Sequence, residues 1–224
     1  MTAGQPRCTW PGPHIDDVHL ASLRAALFEE AHLNIPDPGE SEDFGPDWRS
    51  PRALTDFGLR ERTEPWVWAG PRRVAAGRTW GGCFEVIDQL AIADRLPPLE
   101  NLQGTILLLE SSEEMPAPAL VRRWVRALGE RDVLTAVEGV VVARPPMSNH
   151  ELVPLLGQRK QRRADQYEAV ITQVTRYNKH AVICAGVPFG HTRPQWILPY
   201  GGSIQLDGHT QAITADYGFV KQPG

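Results

Sequence analysis

Three short, nearly unbroken aliphatic runs dominate this chain: residues 105–110 (TILLLE), 137–143 (VEGVVVA) and 181–185 (AVICA). Such runs fit strands buried on both faces, as in a parallel sheet. The segments between them carry helical spacing. Pro118 opens one helix, with Leu120, Val121, Trp124, Val125 and Leu128 on one side and Gly129 as a stop. Ala164, Tyr167, Val170, Ile171, Val174 and Tyr177 mark a second, amphipathic helix. Alternating strands and helices imply crossover units and an α/β fold.

Weaker signals fill in the rest. Residues 203–206 and 211–214 read as strands around the turn pair Asp207-Gly208. Residues 196–199 read as one more strand, and 84–93 as a helix ended by Pro97-Pro98. The GRTWGG segment, 77–82, reads as a glycine-flanked turn. The expected architecture is a mixed sheet, with parallel crossovers followed by a terminal antiparallel hairpin. Near the start, Asp16 or Asp17 can cap a helix to about Glu30, with Leu20, Leu23, Ala26 and Leu27 at helical spacing. Residues 35–53 are polar and rich in breakers, and read as a long loop. Residues 65–68 read as a short strand before a turn at Gly70-Pro71. Residues 1–13, with three prolines, are expected to be disordered.

Composition excludes several function classes. The chain has 224 residues, with 23 basic and 27 acidic side chains and a net charge of −4. That balance argues against a nucleic-acid partner held by a general basic field. The longest apolar runs, 106–109 and 140–143, fall far short of the roughly 20 residues that span a bilayer. No membrane partner is therefore expected. Cys8, Cys83 and Cys184 form an odd, scattered set, which fits a reducing, cytoplasmic compartment.

Two residues stand out chemically. Glu110 ends an aliphatic strand, where functional side chains collect in α/β proteins. His191 lies in PFGHTRP, a loop directly after another such strand. A carboxylate and an imidazole at adjacent strand ends can form an orienter–base pair. The plainer readings are a solvated strand end and a surface histidine. His14, His19, His32, His150, His180 and His209 show no metal-ligand spacing, so no metal is expected. The Gly81-Gly82 pair lacks a phosphate-cradling pattern, and no cofactor is expected. The cluster from Arg159 to Arg163 reads as a solvated helix start. Trp48, Trp66, Trp68 and Trp80 can stack on a flat ligand, although packing is the commoner role. A nucleophile is missing: no serine occupies a strand–turn–helix elbow of the G-x-S-x-G kind. Ser111 and Ser112 follow Glu110 directly, but nothing in the sequence sets their direction. Cys83 and Cys184 have no histidine nearby in sequence, and spatial pairing stays open.

Three blocks, GRTWGGCFEVIDQL, GTILLLESSEEMP and GVPFGHTRPQWILPYGG, occur in that order. Together they resemble the LD-carboxypeptidase family of serine peptidases, including its microcin C resistance type. The resemblance covers residues 74–206 well and 14–73 loosely. It implies a two-domain hydrolase with a Ser–Glu–His triad. The serine would sit in an N-terminal domain, and the glutamate and histidine in a swivelling β/β/α-type C-terminal domain. The family glutamate ends the LLLE strand, here Glu110, and the family histidine ends the FGH motif, here His191. The chain is then divided into 1–13, disordered; 14–73, a helical and loop connecting segment; and 74–224, the C-terminal domain.

This sequence departs from the family pattern in one respect. It has no Gly-x-Ser-Asp motif, so it is expected to lack the nucleophile domain and to be inactive alone. By resemblance the substrates are L,D-amides of cell-wall tetrapeptides, or peptidyl- or aminoacyl-nucleotide conjugates. In the latter, an aromatic loop residue stacks on the base, and Trp48 is the candidate here. Two alternatives stand beside this reading. One is a pseudoenzyme or inactive fragment that binds peptides or nucleotides. The other is a half-enzyme completed by a separate serine-bearing chain. A homodimer is a further expectation from the resemblance.

Overall fold

In the computed structural model, which describes residues 16–29, 32–47 and 49–218, the aliphatic runs become neighbouring strands. The expected disorder of residues 1–13 and the stacking candidate Trp48 lie outside the described residues. In chain order the elements are α1 (Asp17–Phe28), β1 (His32–Ile35), β2 (Glu40–Ser41), β3 (Glu61–Arg62), β4 (Val67–Ala69) and β5 (Val74–Cys83). Then come α2 (Phe84–Ile92), α3 (Leu99–Leu102), β6 (Ile106–Glu110), α4 (Pro118–Glu130), α5 (Val133–Ala136) and β7 (Gly139–Ala143). The last are α6 (Leu156–Tyr177), β8 (Val182–Val187), β9 (Ser203–Asp207) and β10 (Ala212–Asp216).

Eight strands form one mixed sheet in the order β1-β10-β9-β5-β6-β7-β8-β4. β5, β6, β7 and β8 are mutually parallel, each linked to the next through helices. β9 and β10 form the expected antiparallel hairpin, and β9 joins β5. Both edge strands, β1 and β4, come from before residue 74. The long loop keeps little regular structure, with β2 paired to β3 and a 3-10 turn at Pro51–Leu54.

Period-two alternation sorts the strand side chains into two apolar layers. Leu107, Leu109, Val140, Val142, Ile183 and Ala185 face a layer built by α2, α4, α5 and α6. Ile106, Leu108, Val141, Ala143, Val182 and Cys184 face the opposite side. There α1 contributes Ala25, and the loop after β8 contributes Phe189 and Trp196. Each fully buried Leu, Ile or Val adds about 1.5–3 kcal/mol of hydrophobic stabilisation before entropy is counted. Burial on both sides explains why the three runs lack polar alternation.

Three expectations are corrected. GRTWGG is not a turn; it continues β5. Gly81 has φ of 146°, and a Cβ there would stand 1.8 Å from the Leu108 carbonyl oxygen on β6. The glycine thus allows close strand pairing. Residues 196–199 are not a strand. The Trp196 N–H donates to the Pro188 carbonyl at 2.6 Å, and its ring is buried against the sheet. That apolar signal reflects packing, not pairing. The basic cluster is a solvated helix start only in part, at the exposed Lys160 and Arg162. Arg159 and Arg163 are only 5% and 1% exposed, facing inward from α6.

Candidate active site

The carboxyl ends of the four parallel strands gather the polar chemistry. Cys83 ends β5, directly across from Glu110 at the end of β6. By alternation, Glu110 follows Ile106 and Leu108 onto the side where the 188–198 loop lies. Strand geometry therefore aims this carboxylate at the loop that carries His191.

The loop is fixed from several directions. Thr192 donates its hydroxyl to the Arg144 carbonyl at 3.2 Å. Glu42 and Arg193 exchange backbone hydrogen bonds of 2.8 and 2.9 Å. From α1, the Ser22 hydroxyl accepts from the Ile197 N–H at 3.1 Å, and the His19 ring contacts the Gln195 carbonyl. The Gln195 amide also donates to the Gly190 carbonyl. These ties place His191 Nδ1 2.9 Å from Glu110 Oε2. The two site residues singled out in the sequence are thus brought together. Glu110 is mostly buried, whereas His191 keeps 38% of its side chain exposed.

The structure adds neighbours that the sequence did not indicate. His191 Nε2 lies 3.2 Å from Glu113 Oε2, in the turn after β6. Below Glu110, the Cys83 thiol donates to Glu85 Oε2 at 2.8 Å, and Ser112 donates its hydroxyl to Glu85 Oε1 at 2.7 Å. Burial and the hydrogen bond to Glu85 push the Cys83 thiol up to about 12. Burial pushes the Glu85 carboxyl up, but the bonds from Cys83 and Ser112 outweigh it and hold the group below its ordinary value. Cys83 is therefore a protonated donor, not a thiolate nucleophile. Cys184 is fully buried within β8. Ser111 donates to Gln166 at 3.2 Å.

Behind the loop lies a buried ion network. Arg144 follows β7, and its Nη1 donates to Asp43 Oδ1 at 2.6 Å. Arg163 reaches both Asp43 oxygens at 2.8 and 2.9 Å. Glu61 accepts from Arg144 at 2.9 Å and also from Arg159. Glu64 accepts from Arg163 at 2.9 Å. Burial pushes the Asp43 carboxyl up, but the adjacent Arg144 and Arg163 guanidiniums outweigh it and hold it below its usual range. Charges this deep persist only when paired and hydrogen-bonded. The network clamps the 41–64 segment onto the strand ends that carry the site.

Of the stacking candidates, Trp66 and Trp68 pack on the α1 side of the sheet and Trp80 on the helical side. Among the described residues no group of three or more His, Cys, Asp or Glu is placed to hold a metal ion. No helix among them is long and apolar enough to cross a membrane.

No curated protein matches the chain in sequence. Solved structures match its fold. An MccF-like protein from Streptococcus pneumoniae in complex with AMP aligns with a TM-score of 0.72 at 20% identity, over 92% of this chain and 60% of that one. MccF in complex with glutamyl sulfamoyl guanosine gives 0.69 at 19% identity, covering 93% and 58%. An MccF-like protein from Bacillus anthracis gives 0.65 at 18% identity, covering 91% and 59%. This chain thus spans about 60% of the length of the structures it matches. The family model described as the LD-carboxypeptidase C-terminal domain matches residues 76–206, more than half of the sequence, and the chain belongs to that family.

Proposed function

We propose that this chain supplies the histidine and glutamate of a serine-type LD-carboxypeptidase hydrolase. The observation that carries the reading is the 2.9 Å contact between His191 Nδ1 and Glu110 Oε2. Glu110 holds the imidazole with Nδ1 protonated, which leaves Nε2 as the base. Nε2 takes the proton of a serine hydroxyl, and that oxygen attacks the scissile carbonyl. The resulting imidazolium, balanced by Glu110, returns its proton to the leaving amine. Water then resolves the acyl-enzyme by the same proton relay in reverse.

The nucleophile comes from outside this sequence, which contains no Gly-x-Ser-Asp motif. Ser111 and Ser112 are engaged by Gln166 and Glu85 instead. The chain alone is therefore inactive, and it works as part of a longer polypeptide or with a serine-bearing partner in the cytoplasm. A pseudoenzyme that binds the same ligands is the alternative. For substrate, we favour peptidyl- or aminoacyl-nucleotide conjugates over L,D-tetrapeptides. Matching structures hold AMP and glutamyl sulfamoyl guanosine, which supports that choice. Trp48 is retained as the stacking candidate, and a homodimer as the assembly.

The test isolates the natural protein, weighs it intact, and assays both substrate classes. Hydrolysis found only in a species or complex heavier than 24.9 kDa, and lost in His191→Ala, supports the reading. Hydrolysis by the 24.9 kDa chain alone overturns the supplied nucleophile. Ligand binding without hydrolysis by any natural form favours the pseudoenzyme.

A further inference from the structure

The exposed apolar side chains of this chain are not spread evenly. Thirteen large ones stand out to solvent among the described residues, and four of them fall within five positions. These are Leu152 at 49% exposure, Val153 at 51%, Leu155 at 75% and Leu156 at 45%. Single exposed apolar residues need no explanation, whereas a contiguous patch marks a contact surface. The backbone under this patch is held. Asn149 Oδ1 accepts from the N–H groups of Glu151 and Leu152, and the Leu152 carbonyl accepts from the Asn149 N–H. Buried Arg159 donates to the Pro154 carbonyl at 2.7 Å and also to Glu61, which ties the segment to the ion network. A fixed backbone thus presents four aliphatic side chains to solvent.

The position of the patch narrows what can cover it. It lies on the connection from the carboxyl end of β7 to α6, at the end of the sheet that carries Glu110. The same connection starts at Arg144, whose carbonyl accepts from Thr192, the residue after His191. A serine that reaches His191 must arrive on a body that covers this end. The matched structures are longer than this chain, which spans about 60% of their length, and so have room for such a body. We infer that residues 152–156 are a docking surface for the serine-bearing domain, which buries these four side chains as it brings its hydroxyl to His191. The inference deepens the hydrolase reading and rests on it for the identity of the occupant.

A photogenerated carbene inserts into exposed C–H bonds and leaves a mass tag. We would label the purified 224-residue chain and the natural protein isolated from its source, and read the tags by peptide mass. Labelling of residues 152–156 should fall about fivefold or more in the natural protein, as the core of an interface is fully buried. Exposed Ile92, at the end of α2, is the unchanged control. Leu155→Asp in the natural protein should restore the tags on Leu152 and Val153 and slow hydrolysis about tenfold or more. Ile92→Asp should change neither. Unchanged labelling overturns the docking surface, even where the natural protein hydrolyses substrate. Protection by further copies of this chain, or by added sequence without a Gly-x-Ser-Asp motif, overturns the occupant. Protection by added sequence that carries the motif, without hydrolysis, leaves the docking surface standing and removes the hydrolase reading.

Discussion

A methyl group at Gly190 would stand 2.1 Å from Oε2 of Glu110. The residue preceding His191 therefore passes against the carboxylate that orients it, and only a glycine fits between them. Its φ of 82° lies in the left-handed region, which adds a second reason for glycine. Gly190→Ala should cost about 1–3 kcal/mol from backbone strain alone. It should also push His191 off Glu110. Denaturant unfolding reads the first effect, and loss of the hydrogen-bonded Nδ1 proton resonance reads the second. A variant that keeps both would show that the close approach is not what seats His191.

Glu110→Gln separates charge from shape. The amide keeps the size of the side chain and can still accept from Nδ1–H, but it no longer balances an imidazolium. In the completed hydrolase, kcat should fall by about 10²- to 10⁴-fold with little change in KM, the pattern of a group that acts mainly in the transition state. A loss confined to KM would instead make Glu110 a binding residue.

Asp43 is the hub of the buried network, accepting from Arg144, Arg163, Met147 and Ser148. Asp43→Asn removes the most buried of the three carboxylates that face Arg144 and Arg163, leaving Glu61 and Glu64, and should cost about 3–5 kcal/mol. The pH dependence follows from the lowered carboxyl. The folded-state value lies below the ordinary 3.8, so its contribution is fully present above that pH. The contribution is lost as pH falls through the lowered value. Glu64 is also held low, despite its burial, by Arg163 and Arg144, so it acts in the same direction. Unfolding measured from pH 6 downward should show an acid limb in the wild type that is shallower in Asp43→Asn. Parallel limbs would remove Asp43 as the acid-sensitive group.

This network also marks the limit of what could be read from sequence. Strands β6 to β10 and the two long helices declared themselves through period and length, whereas β1 did not, and Glu110 and His191 stood out through their places at strand ends. Arg159 and Arg163 looked solvated because their partners are remote. Asp43 lies 120 positions from Arg163, and Glu61 98 positions from Arg159. No local pattern carries a pairing of that span. GRTWGG misled for a related reason, since Gly81 answers to Leu108 on another strand rather than to a local turn. Glu113 was invisible because one acidic residue in ESSEE looks like any other until the 191 loop is placed beside it.

Cys83 provides a local probe of the strand end beside Glu110. Its thiol is pushed up to about 12 by burial first and by the hydrogen bond to Glu85 second, from an ordinary 9.0. At pH 8 the thiolate fraction is then about one in 10⁴, against about one in ten for an ordinary thiol. Alkylation by iodoacetamide, followed on the Cys83 peptide, should be about a thousandfold slower than for a free thiol and should still rise with pH beyond 10. Glu85→Gln removes the charge that holds the proton and should speed the reaction about tenfold. Ser112 donates to the same carboxylate from the segment after Glu110, so Ser112→Ala should leave Glu85 freer and Cys83 no faster. Wild-type alkylation at an ordinary rate would mean that the thiol is not donating to Glu85.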